Sequence, residues 1–178
     1  HRLTYQELDE RARTIGAALT AAGIEPGDRV GVATQNRTEL VATYWAVQYA
    51  GAQFVPYNFR ASAAELRYLL DNTAPRVLLF SAISREAVLG ATEEAPVETL
   101  VYLGDDPPAA ATSWERFTAG GDGADFDPTH VDEDEISVIL HSSGTTGRPK
   151  GIPRSHRNTY AACLANNAYN RLADEPVL

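Results

Sequence analysis

The feature that most limits the fold is the alternation of short apolar runs with segments of helical period over the first hundred residues. "RVGVAT", "QFVPYN", "RVLLF" and "TLVYL" are short and nearly continuous in apolar side chains. A strand covered on both faces has this character, whereas a half-exposed strand alternates polar with apolar. Each run is separated from the next by enough residues for a crossover helix, which parallel neighbours require. The expected class is therefore α/β, a mostly parallel sheet flanked by helices on both faces.

The intervening segments carry their own boundaries. In "LTYQELDERARTIGAALTAAGIEPGDRV", Thr4 can cap a helix while Glu7, three residues on, reaches back to it; Leu3 and Leu8 occupy the staple positions. Leu8, Ala12, Ile15 and Leu19 form one apolar stripe, Gly23 ends the helix and Pro26 prevents its restart. A mostly apolar helix follows from about Thr38 to Ala50, with Gly51 just past its end. The capping pattern recurs at Ser62 and Glu65, ahead of the buried face Leu66, Leu69 and Leu70, and a further helix is expected around Arg85 to Ala91.

Three segments are expected within one truncated domain. Residues 1–103 hold the βα repeats, and residues 104–135 form an acidic Pro/Gly-rich connection with one short helix near Ser113 to Phe117. Residues 136–178 read as strand, loop, strand and helix. The composition of the middle segment predicts a solvated link whose acids form a charged surface rather than a metal site.

The balance of 15 Lys+Arg against 24 Asp+Glu, a net charge of -9, argues against nucleic acid or an anionic membrane surface as the main partner. An anion site must therefore be local. The one cysteine, Cys163, excludes an intrachain disulfide and reads as a small buried side chain on a helix. With no apolar run near the roughly 20 residues needed to span a bilayer, and no signal pattern, a cytoplasmic location is expected. The chain opens at His1, contains no Met and stops at "DEPVL", which reads as a piece of a longer protein.

The chemistry concentrates in "ISVILHSSGTTGRPKGIPRSH". "ISVIL" reads as a buried strand, and a loop leaving the carboxyl end of such a strand is where open α/β sheets bind ligands. Glycines let the backbone approach an anion and converge successive N–H groups; Ser142, Ser143, Thr145 and Thr146 add hydroxyls, and Lys150 adds charge. A flexible linker would need neither the flanking strands nor the stiff "RPKG" that precedes and holds the only lysine. The pattern is not the G-x-x-x-x-G-K-[ST] loop: Gly144 and Gly147 are three apart, Pro149 precedes Lys150 and Gly151 follows it. "GIPRSH" continues as a short strand or extended turn, and a helix is expected to start only near Ser155 or His156.

"SSGTTGRPKG", preceded by "ISVIL", resembles the phosphate-binding signature of the AMP-forming acyl-adenylating superfamily, which includes acyl-CoA synthetases, adenylation domains of peptide synthetases and luciferases. The resemblance extends upstream through "LTYQELDERA" and "GIEPGDRVGVATQNRTELVATYWAVQYAGAQFVPYNFRASAAELRYLLDNTAPRVLLF", in order and spacing like the start of the family's large N-terminal domain.

The resemblance implies ATP-dependent conversion of a carboxylic acid to an acyl-adenylate with release of pyrophosphate, then transfer to the thiol of CoA or of a carrier protein. It implies that Ser142, Ser143, Gly144, Thr145, Thr146, Gly147 and Lys150 bind the ATP phosphates, with Mg²⁺ accompanying ATP. It makes His156 a substrate-side candidate, whereas His141 departs from the Tyr, Phe or Leu common at its position and receives no role. The adenine and ribose motifs, the hinge, the catalytic lysine and a metal-binding glutamate are expected beyond Leu178, so no metal residue is assigned here and the 178-residue chain alone is expected to be inactive. "IPRSH" resembles the matching stretch of aryl-acid adenylating enzymes and favours aromatic or cyclic acids.

The first expectation is an acid:CoA ligase; an enzyme loading an aryl or amino acid onto a carrier protein is the second, and a non-catalytic nucleotide-binding remnant the third. A truncated sheet is also expected to favour self-association through its uncovered apolar surface.

Overall fold

Helix α1 (Tyr5–Ala21) starts as its capping residues dictate. The Glu7 N–H donates to Thr4 Oγ1 at 3.2 Å and the Thr4 N–H donates to the Glu7 carboxylate at 2.7 Å, which closes the reciprocal cap. The computed structural model describes residues 3–95, 97–142 and 148–170. Gly23 follows the helix at φ 83°, a left-handed conformation that costs glycine little, and the chain enters β1 (Arg29–Ala33).

The strands and crossovers succeed one another as β1, α2 (Thr38–Tyr49), β2 (Gln53–Pro56), α3 (Ala63–Thr73), β3 (Val77–Phe80), α4 (Arg85–Thr92) and β4 (Thr99–Tyr102). Ser62 and Glu65 form the second reciprocal cap, at the start of α3. The two-residue β5 (Thr112–Ser113) and short α5 (Trp114–Thr118) precede the hairpin of β6 (Ile136–Ser142) and β7 (Lys150–Ser155), and α6 (His156–Asn170) follows. The described strands make one seven-stranded sheet in the order β5-β4-β3-β1-β2-β6-β7, parallel throughout except for the β6–β7 pair.

Strand alternation divides the core in two. Val30, Val32, Val77 and Leu79 turn to one face and pack with Ala12, Ile15 and Leu19 of α1 and Ala46 and Val47 of α2. Leu78 and Phe80 turn to the other and pack with Leu66, Leu69 and Leu70 of α3 and Val88 of α4. These strand residues are at most 2 % exposed, so the uniformly apolar runs reflect two covered faces.

Most residues of the acidic connection are exposed, but one stretch of it packs on α1. Gly121 and Gly123 lie directly on α1, where a Cβ on Gly121 would come within 2.4 Å of the Thr14 carbonyl oxygen. The Phe126 ring fills the notch at Gly16, Arg13 Nη1 donates to the Phe126 carbonyl at 3.0 Å, and the Thr129 N–H donates to the Tyr49 carbonyl at 2.7 Å. Asp122, Asp125 and Asp127 stay on the solvent side of this strap. Composition hid the arrangement because glycine here serves close approach rather than freedom.

Arg37 joins the exit of β1 to the end of β4. Its Nε and Nη2 each donate to Glu39 at 2.8 Å and its Nη1 donates to the Leu103 carbonyl at 2.9 Å. The paired guanidinium holds the Glu39 carboxyl down to about 2, from an ordinary 4.5. Between those values the unfolded chain binds a proton that the folded chain does not, so this contribution is complete above 4.5 and disappears as the pH falls through about 2. Between about pH 5 and about pH 3 the urea midpoint of the wild type is expected to fall more than that of Glu39→Gln. Equal falls would remove this pair from the acid response.

Candidate functional site

The carboxyl ends of β1, β2, β3 and β6 lie along one edge of the sheet, as parallel pairing requires. The chain leaves β1 toward α2 on one face, whereas it leaves β2 and β3 toward α3 and α4 on the other. Connections that part in this way mark the strand-end position where such sheets usually bind ligands. At β1 and β3 this position is polar but satisfied: Thr34 Oγ1 donates to Ser81 Oγ at 2.8 Å, and Ser84 Oγ donates to the Ala33 carbonyl.

The residues on either side of the Ser/Thr/Gly stretch lie at this same edge. In the β6–β7 register Ser142 stands opposite Lys150, so the loop's two ends are brought side by side. Ser143, Gly144, Thr145, Thr146 and Gly147 lie outside the described residues. Lys150 is exposed and makes no ion pair among the described residues, which leaves the chain's only lysine available to an anion.

His156 is not brought to this end. The register runs from Ser142↔Lys150 to Ile136↔Ser155, and His156 follows as the first residue of α6. An extended strand advances about 3.4 Å per residue, which separates His156 from Lys150 by roughly 20 Å. Its N–H donates to the Glu135 carbonyl at 3.1 Å, a helix-start contact. Cys163, expected to be buried, is exposed on α6. That helix packs on the hairpin along one side, and the described residues do not cover its other side.

Two aromatic contacts flank the loop that the residue pattern gave no reason to expect. The imidazole of His141 stacks on Tyr57 with ring centroids 5.6 Å apart and planes 28° from parallel. Burial pushes His141 below its ordinary pKa, opposed by the Pro56 carbonyl, and neither ring nitrogen has a well-formed hydrogen bond among the described residues. Past the loop, the guanidinium carbon of Arg148 lies 5.1 Å from the centre of the Tyr68 ring on α3. Among the described residues no group of three or more His, Cys, Asp or Glu side chains could hold a metal ion, and no helix is long and apolar enough to cross a membrane.

Among the described residues, Ser142 and Lys150 thus stand side by side at the carboxyl edge of the sheet, with Lys150 exposed and in no ion pair. Comparison with known proteins identifies relatives of this chain. The 3-hydroxybenzoate--CoA/4-hydroxybenzoate--CoA ligase of Thauera aromatica is 34% identical over 170 residues, covering 94% of this chain and 32% of that protein. The fatty acid--[acyl-carrier-protein] ligase ScoC of Streptomyces coeruleorubidus is 33% identical over 159 residues, covering 89% of this chain and 29% of its own length. The crystal structure of ATP-bound MatB from Rhodopseudomonas palustris superposes with a TM-score of 0.82 at 30% identity, covering 96% of this chain and 33% of that one. The chain thus spans about a third of the length of these relatives. The AMP-binding enzyme family model matches residues 1–178. On the signature, the sheet order and this match, the chain belongs to the AMP-binding enzyme family.

Proposed function

We propose that this chain is the phosphate-binding part of an AMP-forming acid–thiol ligase, which joins a carboxylic acid to ATP, releases pyrophosphate and passes the acyl group to CoA. The observation that carries the reading is the placement of Lys150 opposite Ser142, at the mouth of a Ser/Thr/Gly loop on the carboxyl edge of the sheet. A carboxylate attacking the α-phosphate of ATP must approach a polyanion, so catalysis depends on holding the reactants in line and offsetting their charge. In this reading Ser142, Ser143, Gly144, Thr145, Thr146 and Gly147 give hydroxyl and backbone donors to the β- and γ-phosphates, and Lys150 supplies the fixed cation.

The loop hydroxyls are hard oxygen donors, the type Mg²⁺ accepts, and the ion would arrive on the ATP phosphates and offset their charge. No residue of this chain is assigned as its dedicated ligand. The acid pocket and the acceptor site are not assigned to residues of this chain. The hydroxybenzoate ligase among the relatives and the "IPRSH" stretch favour aromatic acids. The carrier-protein ligase keeps transfer to a phosphopantetheinyl carrier as the second reading. The single cysteine supports a reducing, cytoplasmic setting. Exposed Ile152, Tyr160 and Leu164 are the surface through which the isolated chain would self-associate.

The test is carboxylate-dependent ATP–pyrophosphate exchange by the complete protein with benzoates and fatty acids, followed by acyl transfer to CoA or to a carrier. Exchange with thioester formation on CoA is expected from the complete protein, and none from the 178-residue chain alone. Acylation of the carrier but not of CoA would favour the second reading. Absence of exchange with every acid would leave only a nucleotide-binding remnant.

A further inference from the structure

The two ends of the loop are attached to a part of the molecule that does not belong to the hairpin. Tyr57 follows β2 directly, and its ring is fixed at both extremities. Thr73 Oγ1 donates to the Leu69 carbonyl at 2.7 Å, so the Tyr57 hydroxyl donates to Thr73 Oγ1, 2.6 Å away. On β1, Gly31 leaves room for the ring: a Cβ there would lie 2.6 Å from Tyr57 Cε2. A row of three neighbouring strands therefore runs from the gap at Gly31 through Tyr57 to His141, which stands one residue before the loop.

Tyr68, on the same α3 that holds Thr73, meets the other end. It is half-buried between Leu66, Leu69 and Leu70, which are at most 5 % exposed, and offers its ring face to Arg148. Arg148 is exposed and makes no ion pair among the described residues. A guanidinium over a tyrosine face is attracted by the ring quadrupole and is held in one place, two residues before Lys150.

We propose that Tyr68 is a positioning residue for nucleotide binding: through Arg148 it holds the residues that lead to Lys150, while the Tyr57–His141 stack holds the residue before Ser142, so α3 and the end of β2 position both flanks of the phosphate-binding stretch. This rests on the phosphate-binding reading above. The effect is on the geometry of the bound nucleotide, not on the reacting atoms, and so belongs in the KM for MgATP rather than in kcat.

In the complete protein, Tyr68→Leu, which keeps an apolar packing group and removes the ring face, is expected to raise the KM for MgATP in pyrophosphate exchange about three- to tenfold with kcat within about twofold. Tyr68→Phe keeps the ring face and is expected to restore the KM. Arg148→Ala is expected to match Tyr68→Leu, and the double variant to be no worse than either alone. Independent, multiplying effects of the two substitutions, or an unchanged KM in Tyr68→Leu, would overturn the proposal. Lys150→Ala, measured beside them, separates the two levels. If it leaves exchange unchanged, the phosphate reading and the positioning role both fall. If it impairs exchange while Tyr68→Leu behaves as wild type, only the positioning role falls.

Discussion

Replacing Lys150 by Ala in the complete protein is expected to slow carboxylate-dependent ATP–pyrophosphate exchange by about a hundred- to a thousandfold, the range seen when one preorganised donor to a charged transition state is lost. Lys150 is exposed and makes no ion pair among the described residues, so its removal leaves no buried partner unsatisfied. Surface substitutions of that type change stability by no more than about 0.5 kcal/mol, and the melting temperature should stay within a degree or two. Loss of exchange at unchanged stability therefore assigns the side chain to the reaction. Lys150→Arg keeps the charge but replaces a point donor with a planar fork, and should recover only part of the rate. Wild-type exchange by Lys150→Ala would remove the lysine, and with it the phosphate-binding reading of the loop.

Gly121→Ala is expected to destabilise the protein by about 1–3 kcal/mol, the usual cost of forcing one extra carbon into a packed contact. The new Cβ would stand 2.4 Å from the Thr14 carbonyl oxygen and 2.5 Å from the Ala18 backbone nitrogen. Both obstacles are main-chain atoms of α1, so no side-chain rotation relieves them, and the strap must lift from the helix. Gly120→Ala is the matched control, since its Cβ would meet only the Phe117 carbonyl oxygen, at 3.3 Å. Urea midpoints for the two variants decide the point. Equal midpoints would mean that Gly121 does not hold the strap against α1.

Much of the fold was legible because its signals are local. The Thr4–Glu7 and Ser62–Glu65 caps, the stops at Gly23 and Gly51, and the apolar runs of β1 to β4 each depend on a handful of neighbouring residues. The packing of the strap on α1 was not legible because Asp, Pro and Gly report average solvation, whereas that contact depends on two glycines meeting a particular turn of the helix. The β5 pairing, two residues long, is below what periodicity can detect.

The site divided along the same line. The loop signature and Lys150 were readable as a chemical pattern, and the hairpin register then placed Lys150 beside Ser142. His156 is close to the loop in sequence but at the other end of an extended strand, a separation that proximity in sequence conceals. The Tyr57–His141 and Tyr68–Arg148 contacts join residues about 80 positions apart, and no local pattern announces them.

That distance also bears on how the site comes into being. β1 to β4 close on one another through short crossovers within the first 103 residues, but β6 reaches the sheet by pairing Val138 with Phe54 of β2. Loop closure of that length is slow compared with neighbouring pairings. As the chain emerges from the ribosome, the outer side of β2 is an unclaimed sheet edge until residue 138 and its neighbours arrive, and unclaimed edges recruit other strands. The β6–β7 hairpin is therefore installed late, onto a half-sheet already in place, and the interval before its arrival is when the nascent protein is most open to misassembly.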